Sequence, residues 1–240
     1  MRLVTNVWAS RISRARARRR ARVITHEDLS ERLLTWGAYT AVAVVVFQTA
    51  GHLYDWLATD LDIVLLNADH DQAVYAWVPT TAIFTGALAL FLQQQIHPVT
   101  GFRRWLPAVL AYLSLDEMVA LHERVLKVLD KLNIAASHGR VIWPVIYLPL
   151  LAATTIALWR MARTMVPRAG LFVQAGLVML ATAVMLEVGS VVLVDDYENA
   201  YQVEVVVEQN LELAGWTLIG SALLATAVRV LRRSADEASA

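Results

Sequence analysis

The sequence predicts an all-α polytopic membrane protein, a bundle of six transmembrane helices with both termini in the cytoplasm. Hydrophobic residues make up 58% of the 240 positions and charged residues only 18%, whereas a soluble domain is about half apolar and a quarter charged. The apolar residues are concentrated in blocks of about twenty, the length that crosses a bilayer core. Lysine and arginine fall mainly in alternate loops, which predicts the orientation.

Each predicted span is bounded by charged or turn-forming residues. Helices are expected because a membrane β-barrel would show alternating segments of about ten residues instead. The predicted spans are 34–54, 75–93, 105–126, 141–161, 171–194 and 203–231. They divide the chain into an arginine-rich cytoplasmic arm at 1–33, a transmembrane domain at 34–231 and a cytoplasmic tail at 232–240.

Loop charges predict that the N-terminus stays in the cytoplasm. Seven arginines lie between Arg11 and Arg22, whereas the first and fifth loops contain no Lys or Arg. The third loop, which contains Arg124 and Lys131, departs from this pattern, but five of the six boundaries agree with it. We therefore expect an integral protein of the bacterial cytoplasmic (inner) membrane.

The arginine-rich arm has two interpretations. It forms a surface helix whose arginines, Arg11 to Arg22, bind anionic lipid headgroups, or it is a disordered cationic tail that enforces topology. Its composition also resembles an organellar transit peptide, but no apolar segment precedes residue 34, so no cleavable signal peptide is expected. Lipids, and other membrane subunits, are the expected partners; nucleic acid is not.

The acidic residues and histidines of the predicted spans, together with Asp55 just after the first, lie toward the extracytoplasmic side, and the inner side has only terminal arginines. Helical geometry places residues three, four or seven apart on one face. Gln48, His52 and Asp55 share a face on this basis, as do Asp116 and Glu123 in the third span. In the sixth span three glutamates follow one another at four-residue spacing, and the outermost, Glu204, is expected to be solvated. The full set is Gln48, His52, Asp55, Asp116, Glu117, His122, Glu123, Glu187, Glu204, Glu208 and Glu212.

Such a set of acids requires either that several are protonated, with raised pKa values, or that positive charge lies among them. One charged group at the bilayer centre costs about 2.5–3.5 kcal/mol on insertion scales. A divalent metal is one source, because Asp, Glu and His are the ligands of carboxylate-bridged metal centres in helical bundles. Fe, Mn, Zn and Ca are not distinguished, and no Glu-x-x-His pair occurs in a span. The candidate ligands are Asp116, Glu123, Glu187, Glu208, Glu212, His122, His52 and Glu117, with His52 and His122 also candidates for a catalytic base.

The acidic motifs resemble those of an uncharacterised family of bacterial multi-spanning membrane proteins with the pattern LSLDE…HE…LE…ExxLExxG. The resemblance covers about residues 105–231 and leaves the first two helices unmatched. Gln209 departs from the family, which has a pair of adjacent acids where this chain has Glu208 and Gln209. The resemblance implies that the matching residues form one site, without naming an activity. These are Leu113 to Glu117, His122, Glu123, Trp143, Pro144, Leu186, Glu187, Glu208, Leu211, Glu212 and Gly215.

Three function classes remain open from the sequence. The first is a metal-dependent membrane hydrolase or oxidoreductase acting on a lipid or amphiphile. The second is a proton or cation transporter, which the apolar inner halves of the spans disfavour, and the third is an accessory subunit of a larger complex. Two further segments have simpler interpretations: Asp69 to Asp71 forms a solvated turn, and the small residues of AGWTLIGSALLATA (214–227) pack closely against another helix.

Overall fold

The protein was analysed as a computed structural model, which describes residues 2–68, 73–121, 124–125, 128, 131, 139–190 and 198–239. Side chains are described at 29–68, 73–121, 124–125, 128, 131, 146–189 and 199–239. Helices account for nearly all of this part of the chain, and it contains no strand. The prediction of an all-helical protein is confirmed.

The described helices are α1 (Arg2–Ala58), α2 (Trp77–Ile96), α3 (Leu106–Val119), α4 (Gly139–Ala162), α5 (Pro167–Ser190) and α6 (Glu198–Ala238). Short 3-10 helices at Val74–Ala76 and Gly101–Arg104 precede α2 and α3. Within the described residues, four segments are long and apolar enough to cross a membrane: Leu29–Ala58, Val74–Ile96, Pro167–Gly189 and Asn199–Ala238. A shorter apolar helix covers Ile146–Ala162. The chain therefore has the helices of a membrane protein.

Helix α6 lies at the centre of the bundle, with α1, α2 and α5 packed against it. Small residues allow the close approach. A β-carbon at Gly176 of α5 would lie 2.6 Å from the carbonyl oxygen of Gly215. Gly220 lies against the backbone of Ala82 in α2, and Ser221 against Gly37 in α1. The predicted packing role of residues 214–227 is thus confirmed.

The two ends of the bundle differ in chemistry. At the end where Arg104, Arg160 and Arg229 lie, hereafter the arginine end, the interior is a large apolar cluster that includes Leu158 and Leu223, both fully buried. At the opposite end, hereafter the acidic end, α1 finishes, and α2 and α6 begin. The buried ionisable residues of the described spans lie there: His52, Asp55, Asp116, Glu204 and Glu208.

The arm at 1–33 is continuous with the first span, since α1 runs unbroken from Arg2 to Ala58. Of the two interpretations of the arm, the helical one agrees with this structure. Residues 2–28 add about 40 Å of helix at about 1.5 Å per residue. Arg168, at the start of α5, ties this region to the bundle by contacts to the Glu31 carboxylate at 2.8 Å and the Thr35 hydroxyl at 3.1 Å.

The predicted third helix, 105–126, is interrupted. Helix α3 ends at Val119, and Ala120 adopts the left-handed conformation with φ 48° and ψ 54°. A new helical turn follows, in which the Arg124 amide donates to the Ala120 carbonyl at 3.1 Å. The prediction that Asp116 and Glu123 share one helical face required an unbroken helix between them; the helix is interrupted at Ala120, and Glu123 lies outside the described residues.

Candidate functional site at the acidic end

Four glutamates are gathered where α5 and α6 meet near the acidic end. Glu204, Glu208 and Glu212 follow one face of α6, and Glu187 comes from the last turn of α5. Glu208 is 8% exposed, interacts directly with Glu204, and lies within electrostatic range of Glu187 and Glu212. This juxtaposition agrees with the spacing of the three acids in the sequence.

Glu204 is buried, so its prediction as a solvated residue at the helix entrance is wrong. Its side chain is 8% exposed. The predicted span began at 203, whereas α6 begins at Glu198. More than one helical turn therefore precedes Glu204, and the residue lies inside the bundle rather than at its rim.

The sequence segments that carry the cluster, and the first loop beside it, contain no positive side chain near it, although the third loop contains Arg124 and Lys131. No lysine or arginine occurs between residues 33 and 102 or between residues 169 and 228. Carboxylates placed together away from bulk water repel one another unless protons or a cation compensate. Protonation of some of these glutamates, or a cation beside them, would relieve the repulsion.

Asp116 belongs to a chain of phenolic hydroxyl groups between α3 and α4. The Tyr147 hydroxyl lies 3.3 Å from Asp116 Oδ1 and donates to it, and the Tyr112 hydroxyl lies 2.6 Å from that of Tyr147. Asp116 and Tyr147 are buried, whereas Tyr112 is partly exposed. Glu117, the next residue, is half-buried. The two tyrosines were not predicted; Tyr112 lies one helical turn before Asp116, but nothing in the sequence indicates Tyr147.

His52 is fully buried and anchors the first loop to α1. Its Nδ1 accepts a hydrogen bond from the backbone amide of Ala68 at 3.0 Å. An imidazole nitrogen that accepts carries no proton, so the proton of the neutral ring resides on Nε2. In this arrangement His52 presents an N–H donor to the interior, whereas a metal would require a bare nitrogen.

Asp55, one turn after His52, organises the same loop. Its Oδ1 accepts from the Thr59 hydroxyl and, at 2.9 Å, from the Ile63 amide, while its carbonyl accepts from the amides of Thr59 and Leu61. The predicted shared face of Gln48, His52 and Asp55 agrees with their complete or nearly complete burial. Asp55, in the last turn of α1, therefore stabilises the turn that follows this helix.

Several uncharged polar groups also converge here, which sequence patterns did not reveal. Asn210 donates to Thr49 at 2.7 Å and ties α6 to α1. Within the part of the chain that the structure describes, buried oxygens without a hydrogen-bond partner include Gln48 Oε1, Asp55 Oδ2, the Tyr75 hydroxyl, Gln202 Oε1 and Asn210 Oδ1. Buried polar atoms are normally satisfied by protein or water, so the interior at this end is polar, in contrast to the apolar interior of the arginine end.

The described residues do not by themselves form a metal centre. Among them, no three His, Asp or Glu side chains are grouped so as to hold an ion. Asp116 is placed with Tyr147 and His52 with Ala68, while Glu208 lies within electrostatic range of Glu187 and of Glu212. His122 and Glu123, the other predicted ligands, lie outside the described residues, as do Asp69, His70 and Asp71.

Fold and site together define a helical integral membrane protein with ionisable groups buried near one end. The chain belongs to the family defined by a domain of unknown function, DUF8692, whose model matches residues 36–227. The match begins in α1, so the family includes the first two helices, which the sequence resemblance had left out. No curated protein and no solved structure matches the chain.

Proposed function

We propose that this protein binds a divalent metal ion at the acidic end of the bundle. The observation that carries the proposal is the proximity of Glu187, Glu204 and Glu212 to the buried Glu208, in a stretch of sequence, residues 169–228, that contains no lysine or arginine. A bound cation offsets the mutual repulsion of the carboxylates, and carboxylate oxygens are ligands for Fe, Mn, Zn and Ca. A metal there would polarise a substrate oxygen or activate water.

The class of reaction follows from the location of the cluster. A site between membrane helices is accessible to lipids and other amphiphiles, so we propose a hydrolytic or oxidative reaction on such a substrate. Glu187, Glu208 and Glu212 are the proposed ligands, with Asp116, Glu117, Glu123 and His122 as further candidates. His52 is proposed to orient the first loop and donate from Nε2, rather than to ligate, because Ala68 occupies its Nδ1.

The proposed topology has six spans, the acidic end outside and both termini in the cytoplasm of a bacterium. Contacts support an alternating arrangement of helices. Residues 37 and 49 of α1 pair with 221 and 210 of α6, so these helices are antiparallel. The Ser114 hydroxyl of α3 donates to the Thr80 carbonyl at 2.8 Å, and Leu110 lies near Gly86, so α3 is antiparallel to α2. The arginines of the arm then face the anionic cytoplasmic leaflet.

Elemental mass spectrometry of the detergent-purified protein tests the proposal. We expect near-stoichiometric metal in the wild type and its loss in Glu208→Gln. Asp116→Asn tests whether the site includes the aspartate. Asp62→Asn, which neutralises an exposed acid in the first loop, is the matched control and should keep the metal. Protein purified without chelator that contains no metal, and binds none when titrated, would overturn the proposal.

Proton binding is the second candidate, favoured by the direct interaction of Glu204 with the buried Glu208. Two adjacent carboxyl groups share a proton readily, and acid chains are common in proton pathways. A through-pathway is not favoured, because the arginine end is filled by the apolar cluster around Leu158 and Leu223. The Thr154 and Thr217 hydroxyls donate to carbonyls of their own helices. Proton-linked flux in liposomes, abolished by Glu208→Gln, would identify this function.

A further inference from the structure

A groove between α2 and α3 at the arginine end has the shape and chemistry of an amphiphile site. It is open to the surrounding medium, has a volume of about 570 Å³, and shares no lining residue with the glutamate cluster. This volume is within the roughly 300–1,000 Å³ of small-molecule sites. The groove is lined by Phe84, Ala87, Leu88, Phe91, Gln94, Gln95, Arg104, Trp105, Pro107, Ala108 and Ala111.

The apolar part of the groove suits an acyl chain. Alanines form its floor, because Ala87 and Ala111 are small and leave space between the helices. Aromatic side chains form its walls: Phe84, Phe91 and Trp105 are 56%, 50% and 63% exposed. Side chains of this size stay exposed in a membrane protein where lipid covers them, and Trp is typical of the interface region.

The polar part of the groove suits an anion. Arg104 lines it together with the amides of Gln94 and Gln95. Gln94 also donates to the Arg103 carbonyl at 2.8 Å, which holds the arginine-bearing turn beside α2. No ion-pair partner of the Arg104 guanidinium occurs among the described side chains. Helix α3 begins here without a side-chain cap, and the positive end of its dipole adds to the attraction for an anion.

We infer that this groove binds one anionic phospholipid, with its phosphate at Arg104 and an acyl chain along Phe84 and Phe91. Charge complementarity selects this occupant, since arginine donors match phosphate oxygens and basic pockets between membrane helices recognise anionic headgroups. The inference does not depend on the acid cluster or on its ligand.

Contact quenching of Trp105 by brominated lipid tests the inference. Protein in phosphatidylcholine vesicles is titrated with brominated phosphatidylglycerol, and the difference between wild type and Trp105→Phe isolates the Trp105 signal. We expect half-quenching at a low fraction of phosphatidylglycerol in the wild type. Arg104→Gln should need about ten times more brominated phosphatidylglycerol for half-quenching, since a charge-assisted hydrogen bond is lost. Ala108→Leu, which fills the groove at an exposed position, should abolish saturable quenching.

Arg163→Gln is the matched control, because Arg163 is exposed at the same end but lies outside the groove. Its Trp105 quenching should reach half at the same fraction of brominated phosphatidylglycerol as in the wild type. Equal titration of Arg104→Gln and wild type would overturn the inference, as would an equal shift in Arg163→Gln. Brominated phosphatidylcholine quenching Trp105 as strongly as the anionic lipid would also overturn it. A dimer in detergent that Ala108→Leu dissociates would assign the groove to a second copy instead.

Discussion

His52 holds the first loop against α1, because its Nδ1 accepts a hydrogen bond from the Ala68 amide. Replacement by alanine leaves a buried N–H without that acceptor, which costs about 1–3 kcal/mol. We therefore predict that His52→Ala accelerates hydrogen exchange at the Ala68 amide by at least about fivefold. His52→Asn should restore much of the protection, since the asparagine Oδ1 can accept in a similar position.

Metal content distinguishes this anchoring role from ligation. If His52 orients the loop, His52→Asn keeps the bound metal expected of the wild type. Loss of metal in His52→Asn with unchanged exchange at Ala68 would contradict the anchoring role and favour ligation. Gln48→Ala, one turn away on the same buried face, controls for the removal of a polar side chain.

The residue types of the site were predictable, but their partners were not. Intramembrane acids and histidines are conspicuous because each is costly in a bilayer, so Glu187, Glu208 and Glu212 were identified from one-dimensional spacing. Tyr147 was missed, because a tyrosine in an apolar span is ordinary and only the fold brings its hydroxyl to Asp116. The protonated nitrogen of His52 likewise depends on Ala68, sixteen residues away.

At the scale of elements, the end of α3 at Ala120 is the feature that sequence periodicity missed. The residues 118–121 are apolar, and residues 114–125 contain no glycine or proline, so no breaker was visible. A left-handed conformation costs a non-glycine residue about 1–2 kcal/mol and a β-branched residue more. Tertiary packing therefore imposes the break, as the burial of Ala120 indicates.

Substitutions at Ala120 test the break directly. We predict that Ala120→Gly leaves the free energy of unfolding within about 1 kcal/mol of wild type, since glycine adopts this conformation without penalty. Ala120→Val should lower it by about 2 kcal/mol or more. Ala108→Val, inside α3, should cost no more than about 0.7 kcal/mol, the range of helix propensities. Unfolding titrations in mixed micelles measure these differences; equal stability of the glycine and valine variants at 120 would argue for a continuous helix.

The contact between α5 and α6 depends on the absence of a side chain at Gly176. A methyl group there would meet the Gly215 carbonyl at 2.6 Å and the Ile219 side chain at 2.7 Å. We predict that Gly176→Ala lowers the free energy of unfolding by about 1–3 kcal/mol, the usual cost of overpacking. Gly189→Ala, on the same helix with no described atom within 4 Å, should be neutral or slightly stabilising. Similar losses in both variants would indicate a general effect of altering α5 rather than the close helix contact.

For the whole molecule, hydropathy was sufficient to predict a helical membrane protein, because span length and apolar content follow from bilayer thickness. Hydropathy did not predict how far the helices extend beyond the apolar spans. Helix α1 continues through the arginine-rich arm, and α6 extends to Ala238, since charged residues outside the bilayer also form good helices. The segregation of an apolar interior at one end and polar groups at the other was anticipated from where the acids fall in the spans.

The proposed six-span topology makes a prediction about chemical access, and the chain suits the measurement because it contains no cysteine. Single cysteines are introduced at Asp62, Thr100 and Ala235, all exposed, and at Ser137 in the third loop, outside the described residues. In intact cells we expect a membrane-impermeant maleimide to label positions 62 and 137, and to label 100 and 235 only after permeabilisation. Ser137 decides the number of spans, because a four-span arrangement of α1, α2, α5 and α6 would keep the third loop in the cytoplasm. Labelling of 235 in intact cells would instead reverse the proposed orientation and place the glutamate cluster on the cytoplasmic side.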